Sequence, residues 1–158
     1  MSQARPILIA SGSAVLVSLL GGFASRPGAW YETLDKSPLT PPNWVFAPAW
    51  TLIYASCVIA AVLGWRQAQT SKARARLITL FFFNAVFNVL WSFLFFTLQR
   101  PDWALAEVAM LWLSVAALIV FFFNVSKVSS LILAPYLLWV SFAAYLNYQV
   151  VVLNGPFV

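Results

Sequence analysis

The chain has 158 residues, of which 63% are hydrophobic and only 8% charged, and its mean hydropathy is +0.88. Soluble domains are typically about 45–50% apolar and about 25% charged, so a water-soluble fold is excluded, and the same richness in apolar residues excludes a disordered chain. A single cysteine excludes a disulfide-stapled scaffold, and the absence of histidine argues against a metal centre or a histidine-based triad. The composition predicts an integral membrane protein that needs no metal or cofactor.

Five apolar runs are each long enough to cross a bilayer, which takes about 20 helical residues. They cover residues 7–25, 45–65, 77–98, 103–123 and 131–153. Of the four acidic and nine basic residues, only Glu107 falls inside a run. No run alternates apolar and polar residues as a barrel strand does. We therefore predict an all-α membrane protein, a single domain over residues 1–158 that forms a bundle of five transmembrane helices.

The first span carries small residues at every fourth position, namely Ala10, Ala14, Ser18 and Gly22. Residues four apart lie on one helix face, and small side chains let a neighbouring helix approach closely. The stripe indicates either the seam of a homodimer or packing within the same bundle, and the sequence leaves both open.

Basic residues are distributed unequally between the two ends of the spans. Six of the nine lie on the side of the N-terminus and three on the opposite side, where residues 26–44 join the first two spans. By the positive-inside rule this excess predicts a cytoplasmic N-terminus. The cluster from Arg66 to Arg76 flanks two spans, so we expect it to contact anionic lipid headgroups rather than nucleic acid.

Aromatic and polar side chains share one helix face in each of the four later spans. In chain order these faces hold Trp50, Tyr54 and Cys57; Asn84, Asn88, Trp91 and Phe95; Trp103, Glu107 and Ser114; and Trp139, Ala143 and Leu146, with Asn147 beside them. Because polar groups avoid lipid, we expect these faces to converge on one internal space. The alternatives are that the asparagines only bond between helices, and that the tryptophans at span ends only anchor the interface.

Glu107 lies about one helical turn inside the fourth span. It either reaches back to the interface beside Arg100 and Asp102, or it is a buried carboxylate that faces the internal space. Because a carboxylate in the bilayer is costly, burial would indicate a role in function.

Several short motifs follow one another along nearly the whole chain. They are Trp30-Tyr31, Pro41-Pro42-x-Trp44, Pro48-x-Trp50, Asn84-x-x-x-Asn88-x-x-Trp91, Trp103-Ala104-Leu105 and Pro135-Tyr136-Leu137-x-Trp139. As an ordered set they resemble the translocator protein, or tryptophan-rich sensory protein (TspO/MBR), family. That family includes bacterial sensory proteins and the mitochondrial peripheral benzodiazepine receptor.

The resemblance implies a five-helix bundle, usually dimeric, in a bacterial cell membrane, with a pocket beneath residues 26–44. Family ligands are porphyrins, sterols and synthetic drugs, so a porphyrin or another planar hydrophobic molecule is the implied partner. By motif match, Trp30 and Tyr31 would belong to the covering loop. The implied pocket residues are Trp50, Asn84, Asn88, Trp91, Trp103, Trp139, Ala143 and Leu146, to which the aromatic–polar faces add Tyr54 and Glu107 as candidates.

We therefore expect a sensory or translocator protein that binds a tetrapyrrole, and the lack of histidine favours a metal-free porphyrin. Porphyrin propionates would be expected near Arg26 or Lys36. One alternative is a light-dependent porphyrin-degrading enzyme that uses Trp50 and Trp139, although no acid–base pair supports dark catalysis. Another is a transporter of tetrapyrroles or sterols. Leu146-Asn147-Tyr148 begins a sterol-recognition pattern, but no Lys or Arg follows it.

Overall fold

The computed structural model describes residues 4–25 and 28–157, and these contain helices but no strand. The helices are α1 (Ala4–Ala24), α2 (Ala29–Thr33), α3 (Phe46–Gln67), α4 (Ser71–Ser92), α5 (Pro101–Val125) and α6 (Lys127–Asn154). A 3₁₀ turn, Asn43–Val45, leads into α3, and a π-helical turn, Phe93–Thr97, prolongs α4. All but α2 are long and apolar enough to cross a membrane. The predicted all-α fold is confirmed, and the chain is a multi-pass membrane protein.

Side-chain caps set where two of the long helices begin. Thr70 Oγ1 accepts a hydrogen bond from the Ala73 amide at 3.1 Å, and Ser126 Oγ accepts one from the Ser129 amide at 3.3 Å. Such caps satisfy amides that the first helical turn leaves without partners. Helices α4 and α6 therefore start before the apolar runs that begin at residues 77 and 131. Hydropathy marks only the part of a helix that suits lipid, whereas the caps mark where the helix begins.

The solid part of the interior lies between α5 and α6, against α3 and α4. Leu118, Phe122 and Leu133 are completely buried there. The Phe122 ring fits over Gly64 of α3 so closely that a Cβ at residue 64 would lie 2.1 Å from its Cε1 atom. This glycine is what allows α3 and α5 to pack at that level.

Helix α1 lies at the edge of the bundle, where it contacts α3 and α4. Gly21 is its single buried residue among those described. Most of its leucine, isoleucine and valine side chains are exposed, as expected for a helix that faces acyl chains.

Residues 28–42 form an ordered cover over the bundle end opposite the N-terminus. Tyr31 and Leu34 are buried with Phe95 beneath them. The backbone N–H of Asp35 donates to Asn154 Oδ1, and Asn154 Nδ2 donates to the Asp35 carbonyl, both at 2.8 Å. The end of α6 therefore holds the cover in place.

Candidate functional site

A cavity of about 450 Å³ lies under this cover, between α1, α3, α4 and α6. We call it the covered cavity. Eight side chains that the sequence predicted as ligand-binding line it: Tyr31, Trp50, Tyr54, Asn88, Trp91, Trp139, Ala143 and Leu146. Its volume falls within the range of about 300–1,000 Å³ that is usual for small-molecule sites.

The aromatic walls of the covered cavity are built from ring pairs. Trp50 stacks on Tyr54 at 5.7 Å between centroids, and Trp91 stacks on Phe95 at 5.2 Å. The Trp139 ring meets Phe46 edge-on at 5.9 Å. These arrangements are the favourable geometries for aromatic pairs, so each indole is held in one orientation by its neighbour.

The π-helical turn at the end of α4 contributes two successive phenylalanines to the cavity wall, Phe95 and Phe96. Its wider spacing is shown by the Leu98 amide, which donates to the Phe93 carbonyl at 2.9 Å, five residues back. Such turns re-aim side chains relative to a regular α-helix and often occur at functional sites.

Two asparagines hold cavity side chains in position. Asn147 Oδ1 accepts from Trp91 Nε1 at 3.1 Å, while Asn147 Nδ2 donates to the Pro101 carbonyl at 2.8 Å. Asn88 Oδ1 accepts from the Tyr54 hydroxyl at 2.9 Å.

By contrast, Nε1 of Trp139 is buried and has no hydrogen-bond partner among the described residues. A buried donor without an acceptor costs free energy.

A chain of hydrogen bonds continues from Asn88 across the bundle. Asn88 Nδ2 donates to the Tyr136 hydroxyl, which donates to Asn84 Oδ1, both at 3.3 Å. Asn84 Nδ2 then donates to Ser114 Oγ at 2.9 Å. The asparagines thus do bond between helices, the alternative that the sequence left open, while Asn88 also lines the covered cavity. We call this chain, which joins Tyr54, Asn88, Tyr136, Asn84 and Ser114, the hydrogen-bonded wall. Asn84 lies on its far side and does not line the covered cavity.

Three further predicted residues lie outside the covered cavity. Trp30 packs edge-on against Phe95 at 6.1 Å as part of the cover. Trp103 is 52% exposed, with the Arg100 guanidinium over its ring at 4.3 Å, the arrangement of an interfacial anchor. Glu107 is 8% exposed, and neither of its carboxylate oxygens has a hydrogen-bond partner in the described part of the chain. It is therefore buried between helices rather than turned to the interface.

The small-residue stripe of α1 faces the interior of its own bundle. Ser18 and Gly22 line the covered cavity, while Ala10 and Ala14 line a second cavity on the other side of the hydrogen-bonded wall. At these positions the small side chains line open space rather than a closely packed helix, and a Cβ at Gly22 would meet no atom within 4 Å.

Lys36 and Tyr31 mark the mouth of the covered cavity. Lys36 Nζ lies 4.6 Å from the centroid of the Tyr31 ring and donates to the Leu34 carbonyl at 3.1 Å. Burial raises the pKa of the Tyr31 hydroxyl, which is therefore neutral at physiological pH. Arg26, the other cation predicted near the mouth, lies outside the described residues.

Several lining residues were not predicted from the sequence. Phe46 and Val150 each lie four residues from a predicted member of the same helix face, Trp50 and Leu146, so helical spacing could have identified them. Gly21 and Thr40 had no such signal, because they contribute through the position of backbone rather than through a pattern of side chains.

A model of the TspO/MBR family matches residues 9–153. A protein of Chlorobaculum tepidum named tryptophan-rich protein TspO is 35% identical, with 96% of this chain and 98% of that protein covered. The protein of that name from Archaeoglobus fulgidus is 39% identical, with coverages of 94% and 97%. The translocator protein of Sus scrofa is 33% identical, with coverages of 94% and 91%.

Proposed function

We propose, for a chain that belongs to the TspO/MBR family, that the covered cavity binds porphyrin-type and other planar hydrophobic ligands. The family relatives support a sensory or translocator role in the membrane. The observation that carries the more specific proposal is the meeting of three indoles, those of Trp50, Trp91 and Trp139, around one hollow.

The chemistry of the covered cavity suits a flat macrocycle with a polar edge. Stacking of aromatic rings adds about 0.5–1.5 kcal/mol per pair beyond burial of apolar area. Lys36 at the mouth offers a cation for a propionate carboxylate. The chain has no histidine with which to ligate a haem iron, so a metal-free porphyrin is the better match.

Titration of the purified protein with protoporphyrin IX, followed by tryptophan fluorescence, tests the proposal. We expect saturable quenching, and we expect the Trp50→Phe/Trp139→Phe double variant to bind about tenfold more weakly, since it loses the stacking surface of two indoles. Trp103→Phe is the matched control, because this exposed indole lies outside the cavity. An unchanged affinity in the double variant would refute the assignment of the site.

Light-dependent porphyrin degradation is a second candidate function, favoured because Trp50 and Trp139 both line the cavity. Oxygen-dependent loss of porphyrin absorbance under illumination, with a defined product, would support it. If bleaching is equally fast with the double variant, the protein takes no part in the reaction.

We further propose a homodimer in a bacterial cell membrane, with the N-terminus in the cytoplasm. The basic residues support this orientation, since six of nine lie at the N-terminal end of the bundle. Reporter fusions at the two ends of the chain test the orientation, and native mass spectrometry tests the dimer. A seam through Ala10, Ala14, Ser18 and Gly22 would require α1 to contact two neighbours, so dimers that persist when Ala14 becomes Leu would place the seam elsewhere.

A further inference from the structure

A second, larger cavity of about 860 Å³ lies on the N-terminal side of the hydrogen-bonded wall, between α1, α3 and α4. We call it the lateral crevice. Its surface is mostly apolar, and Ala10, Val17, Val58, Ala61 and Ala85 are among its lining residues. Tyr54, Asn84, Asn88 and Tyr136 close its deep end.

The lateral crevice opens sideways, toward the region that lipid would occupy. Leu16 and Leu20 of α1 line one side of it, and Ile78 and Phe82 of α4 line the other. All four side chains are largely exposed. An apolar slot with exposed apolar sides is accessible to a chain that enters from the bilayer rather than from water.

Basic side chains surround the N-terminal end of the crevice. Arg5 lines it directly. The Arg74 guanidinium lies over the ring of Trp65, another lining residue, at 5.0 Å from the centroid. Nε of Arg74 is buried and has no hydrogen-bond partner among the residues that the structure describes.

Within residues 4–25 and 28–157, no carboxylate lies near these cations. The four acidic residues are Glu32 and Asp35 in the cover, and Asp102 and Glu107 in the first turns of α5, at the opposite end of the bundle. A phosphate beside an apolar slot is therefore the chemical complement of Arg5 and Arg74.

We propose that the lateral crevice is a binding site for a membrane lipid with an anionic headgroup. One acyl chain fills the slot between α1 and α4, and the lipid phosphate contacts Arg5 and Arg74. A neutral lipid would fill the slot through its chain alone, so selectivity for the headgroup distinguishes this site from the general contact of any membrane helix with lipid. The site is separate from the covered cavity and is tested without a porphyrin.

Native mass spectrometry of the full chain, delipidated in a neutral detergent, measures the selectivity. Phosphatidylglycerol and phosphatidylcholine with identical acyl chains are titrated separately. We expect the anionic lipid to bind about tenfold more tightly, or by about 1.4 kcal/mol, because its headgroup is attracted to two basic side chains. Equal affinity for the two lipids would overturn the proposal.

The Arg5→Gln/Arg74→Gln variant should lose most of this preference. Arg66→Gln/Lys127→Gln is the matched control, since it removes the same charge at the same end of the bundle without touching the crevice. If both double variants lose the preference equally, the effect belongs to the whole basic surface and the proposed site is wrong.

A steric variant tests the slot itself. Ala85→Phe places a ring in the crevice and should reduce binding of both lipids, whereas Ala106→Phe, on an exposed face of α5, should not. If Ala85→Phe does not fold, the arginine pair still decides the question. Delipidated dimers that dissociate in Ala85→Phe but not in Ala106→Phe would show a second copy of the chain in the crevice and would overturn the lipid assignment.

Discussion

The two sides of the bundle are packed in different ways. Between α5 and α6 the interior is solid, and the Phe122 ring packs against α3 at Gly64, where the missing side chain leaves room for it. Beside α1 the interior is hollow, with the covered cavity above the hydrogen-bonded wall and the lateral crevice below it. Helices α5 and α6 thus form a solid core with α3 and α4, while a loosely packed helix at the edge encloses the space available to ligands.

Glycine substitutions should expose this difference most strongly. Gly64→Ala puts a Cβ against the buried Phe122 ring, and overpacking of this kind typically costs about 1–3 kcal/mol, so a large loss of stability is expected. Gly12→Ala on α1 meets no atom within 4 Å, and it should be neutral or slightly stabilising. Thermal unfolding in detergent measures both, and equal midpoints would mean that the two sides are packed alike.

Filling the hollow side should abolish binding without unfolding the protein. A Cβ at Gly22 meets no atom within 4 Å, so Gly22→Phe is expected to direct its ring into the covered cavity. We predict a loss of protoporphyrin IX affinity of more than about tenfold, or about 1.4 kcal/mol. Gly12→Phe is the control, since residue 12 lines neither cavity. Full affinity in Gly22→Phe would show that ligands bind elsewhere.

Loosening the cover should change the rate of ligand exchange. Asn154→Ala removes both exposed hydrogen bonds to Asp35. At about 0.5 kcal/mol for each, or about 1 kcal/mol in total, the ligand should dissociate about fivefold faster. Stopped-flow fluorescence measures this rate. Asn124→Ala, at the far end of the bundle, removes only a bond to the Val120 carbonyl and should leave the rate unchanged. A cover that plays no part in exchange would give the same rate in both variants.

The smallest effect on stability is expected at the hydrogen-bonded wall between the covered cavity and the lateral crevice. Tyr54→Phe deletes the hydroxyl that donates to Asn88, and hydrogen bonds between membrane helices average about 0.6 kcal/mol. The free energy of unfolding should fall by that amount relative to Tyr148→Phe, whose side chain is exposed. No difference between the two variants would mean that this bond adds nothing to the stability of the wall.

The sequence predicted the fold well because its five spans are set by hydropathy, which is a local property. Helical spacing placed Trp50, Trp91 and Trp139 on the aromatic–polar faces, and the family resemblance implied that they line a pocket, as these three residues do. These contacts depend only on position within one helix and on the cost of exposing polar groups to lipid.

What the sequence did not predict depends on contacts between distant segments. The bonds between Asp35 and Asn154 join residues 119 positions apart, and no local pattern marks such a pair. Asn84 and Asn88 share a helix face, yet one reaches Ser114 on the far side of the hydrogen-bonded wall while the other reaches the covered cavity. Depth along a helix, rather than its face, decides between these two environments.

Tyr54 and Asn88 line both the covered cavity and the lateral crevice, so the same two side chains would contact a ligand in either one. If a lipid in the crevice alters the affinity for a porphyrin above, thermodynamic linkage requires that the porphyrin alter the affinity for the lipid by the same factor. In that case a single hydrogen-bonded pair would make the affinity of the covered cavity depend on the lipid composition of the surrounding bilayer.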